Sequence, residues 1–495
     1  MRTGFDAIAS RLLIAASLVL VWIFVISITV PQLWPGNFDY GFFTAVAERL
    51  RAGDVLYEDV WDNKDPFVFY SIALARTFGP AGAWALEVSW IVISSLAVFA
   101  LARRIDIDRW LAVFVSFAAT PIALLGVPYF MGSSHMPGIA LTLAALALVV
   151  YQRPLLAGVA VAFIVFLKFV MLPLTLAVVI TWLVVQKQGR LVLRVGLSAG
   201  ITLTMIALLL LVRGELSGFI STQIDNVLYS QSPIVDAAYT GLAQKVAQHI
   251  VILVNPNVVA IELATIAILA VGWLLHRRHR AASPANFTAL WWTTAVAFLG
   301  SIAIIAATGK WLHHAEIFAV SSALALVVLI ATFTRFTRLP SFAVIVIALI
   351  AAYLLAGRPA PNTYAEHVRD LGPTWAAAQE TDELTEILLP LEPSSVAFVG
   401  RGNLLPRSPG LEDWTLACRH MAQRPFNPES MFTETLECLP TAERIVVTRD
   451  YDRDTAFPAY VEFYDSVEAI LEQAYTCEET DGFRVCERRT STGSS

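Results

Sequence analysis

The chain has 495 residues, of which 57% are hydrophobic and 15% charged, with a net charge of −6, and its mean hydropathy is +0.65. That is more apolar than a soluble globular chain of this length needs, and the absence of a basic tract argues against nucleic acid as a partner. Apolar runs recur from Leu12 to Leu355, many of them reaching the ~20 residues required to cross a bilayer as helix, so the pattern predicts a polytopic α-helical membrane protein.

The first run, about residues 12–31, is too long for a removable signal peptide, and its flanks are poor in small cleavage-site residues. A polar stretch, NFDYGFFTAVAERLRAGDVLYEDVWDNKDPFVFY, follows from Asn37 to Tyr70 and carries Asp39, Asp54, Glu58, Asp59, Asp62 and Asp65 beside Trp61 and Lys64. Carboxylates near a bilayer are costly unless they pair, bind a ligand or stay in water. This concentration reads as a polar-substrate site, the competing reading being a solvated acidic loop.

Further crossings are predicted at about 83–103, 109–127, 134–151, 155–169, 172–186, 193–213, 250–275, 287–308, 313–333 and 339–357. With these spans the basic loops Arg103-Arg104…Arg109, Arg153, Lys187…Arg194, Arg277-Arg278…Arg280 and Arg335…Arg338 share one side with Arg2 and Arg11. The excess of Lys and Arg marks that side as cytoplasmic. Phe67–Phe78 cannot then span, because every later loop would invert, and it reads as an interfacial helix. Leu155–Gln186 has basic residues at both ends, so it must go out and come back, with its turn near Lys168–Pro173. Lys168 is thereby placed at the outer headgroups, available to an anionic group or, in the plainer reading, snorkelling to ordinary lipid phosphate.

Two more outer loops follow. In residues 213–250, Phe219, Ile220, Ile224, Val227 and Leu228 suit one face of a helix lying on the bilayer surface. Residues 307–318, ATGKWLHHAEIF, gather Lys310, His313 and His314 at an outer mouth. Such a set is a natural phosphate clamp; a basic–aromatic girdle with Trp311 is the alternative.

All four cysteines, Cys418, Cys438, Cys477 and Cys486, lie beyond the last crossing. About eleven crossings from a cytoplasmic N-terminus put that region outside, where disulfides persist. In YTCEETDGFRVCERR the Asp481-Gly482 pair is a two-residue hairpin turn. Closing it opposes Thr480 to Phe483, Glu479 to Arg484, Glu478 to Val485 and Cys477 to Cys486, the last a non-hydrogen-bonded pair with Cα atoms ~4.5 Å apart, inside disulfide range. Cys418 and Cys438 pair by default. Residues 358–495 thus read as an extracytoplasmic α/β domain, with buried strands at Ser395–Gly400 and Arg444–Thr448 and amphipathic helices at Asp382–Leu389 and Ser466–Ala474. His367 and His420 stand alone there, and lone histidines are more often surface or packing residues than ligands.

The order Asp39-Tyr40…Gly53-Asp54…Leu56-Tyr57…Trp61-Asp62…Lys64-Asp65-Pro66 in the first outer loop resembles the integral-membrane GT-C glycosyltransferases, nearest to the protein-mannosyltransferase and aminoarabinose-transferase branch. Lys64-Asp65-Pro66 stands where that family has a "KPP" or "HPP" stretch, so its first proline is replaced. Gly158…Lys168 resembles a Gly-x-x-x-Gly…Thr-Lys segment, with Phe166-Leu167 where small residues or Thr are usual. Gly309-Lys310…His313-His314 resembles a late-loop motif that often reads His-Tyr. The likeness covers residues 1–357 and implies a GT-C-like catalytic domain; the C-terminal domain matches the family only in position.

The resemblance implies transfer of a sugar from a polyprenyl-phosphate donor to a glycan, lipid or protein acceptor at the outer face of the plasma membrane. Asp39 matches the family's catalytic acid position and would take the acceptor's proton. Lys64, Lys168, Lys310, His313 and His314 would hold the departing phosphate. Glu58, Asp59, Asp62 and Asp65 would bind sugar or acceptor hydroxyls, orient Lys64 or coordinate a divalent cation, a cofactor left open because the first acid lacks a DxD partner. Two alternatives stay in view: a transporter or flippase of a lipid-linked sugar, which would be expected to carry mid-membrane polar groups and an inverted repeat, and a non-catalytic scaffold of the same fold.

Overall fold

The computed structural model describes residues 2–29, 38–126, 134–231, 251–279, 285–308, 312–357, 383–400, 411–423, 429–448, 458–480 and 482–489. They are mostly helical, with six helices long and apolar enough to cross a membrane and a small sheet near the C-terminus. That is the build of a polytopic helical membrane protein. The chain divides into two compact units. One gathers Met1–Leu33, Pro80–Ile206 and Lys245–Ala377; the other gathers Trp34–Gly79, Ala207–Gln244 and Ala378–Ser495.

The first unit contains helices Arg2–Ile28, Gly79–Arg104, Arg109–Leu124, His135–Val150, Pro154–Leu167, Leu172–Val185, Pro256–Arg278, Ala285–Thr308, Phe318–Phe336 and Ser341–Leu355, and Gly189–Val212 as far as Ile206. Several start where proline supplies a fixed φ at the first turn, as at Pro154 and Pro256. Phe318–Phe336 is its centre, buried on all sides from Phe318 to Thr332. Small and hydroxylated residues let neighbouring backbones approach. A Cβ on Gly158 would fall 2.5 Å from the Val195 carbonyl oxygen, and Ser198 Oγ donates to the Leu155 carbonyl at 2.7 Å. Thr142 and Thr175 join their hydroxyls at 2.7 Å between two helices.

Contacts between helix ends give most helices of this unit a direction. Asn286 donates to the Arg104 carbonyl and accepts from Gln186. Tyr151 donates to the Ala100 carbonyl, Arg335 to that of Ile105, and Arg11 lies over Trp110. The breaks after Arg104, Val150, Val185 and Phe336 therefore share one end, and it is the arginine-rich end. At the other, Trp84 donates to Thr29 and Gly126 abuts the Ala356 backbone. Lys168, at the break between Pro154–Leu167 and Leu172–Val185, meets Ser134 at that same end. The out-and-back course expected of Leu155–Gln186 is thus present, with a 3-10 turn at Phe169–Met171.

The second unit joins residues 34–79 and 207–244 to the C-terminal region, an association across the chain that residue order alone does not convey. Its sheet has strands β1 (Ser395–Val399), β2 (Thr415–Leu416), β3 (Arg444–Thr448), β4 (Tyr475–Thr480) and β5 (Phe483–Arg488) in the order β2-β1-β3-β5-β4. β1 runs parallel to β2 and β3, and β5 antiparallel to β3 and β4. The amphipathic helix Pro458–Ala474 starts two turns before the expected Ser466 and lays Tyr460, Phe463, Tyr464, Val467 and Leu471 on the sheet.

The β4–β5 register opposes Thr480 to Phe483 and Cys477 to Cys486 as expected. The Cys477–Cys486 bridge has a Cα separation of 3.9 Å, and Cys418–Cys438 one of 5.5 Å. Asp481 of the turn lies outside the described residues, while Gly482 has φ +84°, a conformation that favours glycine. Closing so short a loop stabilises by about 2–3 kcal/mol. Serine at Cys477 and Cys486 should therefore lower the stability of this domain by that amount without abolishing its fold. Peptide maps of nonreduced protein should show both bridges; Cys477 alkylated as a free thiol, or joined to Cys418, would contradict the register.

Candidate functional site

Each unit holds a polar cluster. In the first, the helix break leaves Lys168 extended at φ −165°, and its Nζ donates to Ser134 Oγ at 2.8 Å. The next residue, His135, opens helix His135–Val150 and is buried. Its Nδ1 lies 3.7 Å from an oxygen of buried Glu316, beyond hydrogen-bond length. The His314 ring sits 5.5 Å from the His135 ring, centroid to centroid. Gly138, one turn along, makes room for the helix break: a Cβ there would meet Met171 Cγ at 2.8 Å and Lys168 Cβ at 3.3 Å.

Three separate segments thus bring Ser134, His135, Lys168, His314 and Glu316 together at the end opposite the arginines. One ammonium, two imidazoles and a hydroxyl supply donors of the kind that bind phosphate oxygens. Of the residues expected to form a phosphate clamp, Lys168 and His314 belong to this cluster. Lys310 lies outside the described residues, as does the side chain of His313, whose backbone is in the turn Leu312–Ile317. Ser134, His135 and Glu316 were not anticipated. Their only trace in the sequence is a Ser-Ser-His-Met-Pro run before an apolar stretch and a glutamate two residues beyond His314.

In the second unit, helix Phe38–Ala52 carries Asp39 in its first turn; the Asp39 side chain lies outside the described residues. Glu48, which sequence reading passed over, pairs with Arg51 and Arg76. Arg49 grips both oxygens of Asp54, at 2.7 and 3.0 Å, and donates to the Leu411 carbonyl. Asp59 accepts from the Val55 amide and Asp62 from the Lys64 amide, each at 2.8 Å. Asp65 accepts from Gln223 at 3.0 Å. Lys64 Nζ turns back to Asn63 Oδ1, and Glu58 is exposed. The acids of the loop thus hold its own shape, with Asp62 and Asp65 buried. Among the described residues no group of three His, Cys, Asp or Glu side chains is arranged to hold a metal ion.

Helix Leu216–Gln231 lies against this loop. Phe219 is buried near the Tyr57 ring rather than lying on a surface face, while Ile220 and Ile224 are exposed; the Val227 and Leu228 side chains lie outside the described residues. Just before it, Arg213 Nε reaches both Tyr70 Oη and fully buried Glu215 at 2.9 Å, and Tyr70 donates to Glu215. Burial, followed by that bond, pushes the Tyr70 phenol well above its ordinary range. Burial also raises Tyr57, reinforced by the nearby Asp65, Asp62 and Glu215 charges. His420 is buried, packs its ring 5.1 Å from Trp61 and pairs with Glu434 at 2.9 Å. Burial lowers its pKa and outweighs the carboxylate, so the ring is neutral at pH 7.

No protein-family model matches the chain, and no curated protein matches it.

Proposed function

We propose that this chain is a membrane glycosyltransferase of GT-C-like build that moves a sugar from a polyprenyl-phosphate carrier to an acceptor at the outer membrane face. The observation that carries the reading is the meeting of Lys168, Ser134, His135 and His314 at one end of the membrane helices, opposite the arginines. The topology adopted is eleven crossings in the plasma membrane, with a cytoplasmic N-terminus and an outer C-terminal domain. It is supported by the alternating helix directions and by the two disulfides, which persist outside the cytoplasm. The motif likeness in the first loop supports the same class.

In the proposed reaction Asp39 removes the proton of the acceptor hydroxyl as its oxygen bonds to the sugar's anomeric carbon. The bond from that carbon to the phosphate oxygen breaks, and its electron pair leaves with the polyprenyl phosphate. Lys168, His135 and His314 stabilise the charge that develops there, and Lys310 and His313 are assigned the same task from the sequence motif alone. Glu316 keeps His135 oriented. Glu58, Asp59, Asp62 and Asp65 are assigned to sugar or acceptor hydroxyls, and Lys64 to the phosphate.

Native mass spectrometry of the protein released from membranes in mild detergent tests the reading. A bound polyprenyl phosphate, free or carrying a sugar, is the expected adduct. Ordinary phospholipid as the sole adduct would count against it.

A further inference from the structure

We infer that Arg419, in the disulfide-bonded C-terminal region, is the positioning residue for the acidic loop, so that this region is a working part of the site rather than a tether. The inference begins at Tyr57. This side chain is buried, yet its backbone has φ +71°, the left-handed region that a residue with a Cβ rarely adopts. A conformation of that kind persists only where the surroundings over-determine it, and here several restraints converge. The Tyr57 amide donates to the Val60 carbonyl at 2.7 Å, closing the turn. Its hydroxyl donates to the Lys64 carbonyl at 2.7 Å. Behind it, Gly218 admits the side chain, since a Cβ there would lie 2.4 Å from Tyr57 Cβ.

Arg419 supplies the remaining restraint, and it acts from both ends of the turn. Its guanidinium donates to the Tyr57 carbonyl at 3.2 Å, and its own carbonyl accepts the Trp61 amide at 2.9 Å. Residues 57 and 61 are thereby pinned to one residue of the distant C-terminal segment. The guanidinium is in turn fixed by two N–H bonds to Glu434, at 2.6 and 3.0 Å. His420 shares that carboxylate and packs on Trp61. Cys418 adjoins Arg419, and its bridge to Cys438 ties the segment to the helix Glu429–Cys438 that carries Glu434. Buried Asp62 and Asp65 and half-buried Lys64 follow immediately, so the direction in which the chain leaves Trp61 sets where these groups lie.

Hydrogen–deuterium exchange on the full-length protein in nanodiscs tests the inference. Arg419→Ala should speed exchange in peptides covering residues 53–66 by about tenfold or more, because local opening then breaks fewer bonds. Peptides from helix Pro458–Ala474 should be unchanged. Arg419→Lys should rescue only partly, since an ammonium cannot grip Glu434 through a planar fork. Should Arg419→Ala fail to fold, Glu434→Gln keeps the arginine, weakens its anchor and must loosen the same peptides. Unaltered exchange at 53–66 in a folded Arg419→Ala protein, or in Glu434→Gln, overturns the inference. Its link to catalysis rests on the proposed transferase reading. There the Arg419→Ala enzyme should show a raised acceptor KM with polyprenyl-phosphate binding retained. A wild-type protein that turns over no donor, while the loop still loosens in the variant, would refute that reading and leave the positioning role standing.

Discussion

Lys168→Ala is expected to weaken polyprenyl-phosphate binding about tenfold to a hundredfold, the loss of one charged hydrogen bond worth roughly 1.5–3 kcal/mol. The lysine stands at a helix break, with its ammonium 2.8 Å from Ser134 and partly exposed, so its removal leaves no buried cavity. His135→Ala should lower affinity in the same direction. Glu316→Gln should do so less, because it alters a neighbour 3.7 Å from His135 rather than a ligand. Binding of the carrier in nanodiscs, read by displacement of a fluorescent polyprenyl phosphate, checks all three. Unchanged affinity in Lys168→Ala and His135→Ala would remove the cluster from the phosphate site.

Asp39→Asn should reduce transfer by a factor of about a hundred to ten thousand, the usual contribution of a positioned general base, while carrier affinity stays at the wild-type value. Asparagine is nearly isosteric and serves as well as aspartate near a helix start, so the Phe38–Ala52 helix should be retained. Single-turnover assays with saturating acceptor separate the chemical step from binding. A wild-type rate in the purified variant would exclude Asp39 as the base. A fall in carrier affinity that accounts for the whole loss would reassign it to binding.

The parts of the molecule that local patterning specifies were legible in the sequence. Apolar runs located the helices, six of them long enough to cross a membrane, and the basic residues between them marked the end at which Arg104, Gln186 and Asn286 meet. The Asp-Gly turn fixed the β4–β5 register through Cys477 and Cys486 because strand pairing counts outward from the turn. Lys168 fell at a break because basic residues at both ends of its segment require a return.

Interactions made by packing between distant segments were not legible. Nothing near His135 in the sequence foretells Glu316, because the two meet only where separate helices converge. Gly158 looked like part of a motif, whereas its physical effect is to let its helix touch the backbone at Val195. The fit of Gly218 against Tyr57 and the bond from Arg419 to the Tyr57 carbonyl join three stretches of chain with no shared periodicity. His420, unremarkable alone in the sequence, acquires partners in Glu434 and Trp61 only through the fold. The loop acids repeat the lesson: their number drew attention, but several of them hold the loop through Arg49, Gln223 and backbone amides.

The proposed reaction consumes the sugar-loaded donor and releases its carrier as polyprenyl phosphate, and the fate of the donor tests this most directly. Purified protein in sealed vesicles would be given a polyprenyl-phosphate sugar labelled in both sugar and phosphate, together with candidate acceptors, and the products separated by chromatography. The account predicts that the sugar label leaves for the acceptor while the phosphate label remains as polyprenyl phosphate, one released for each sugar moved, and that Asp39→Asn stops both. Recovery of the intact donor on the opposite leaflet, with both labels still joined, would contradict a transferase and identify a transporter instead.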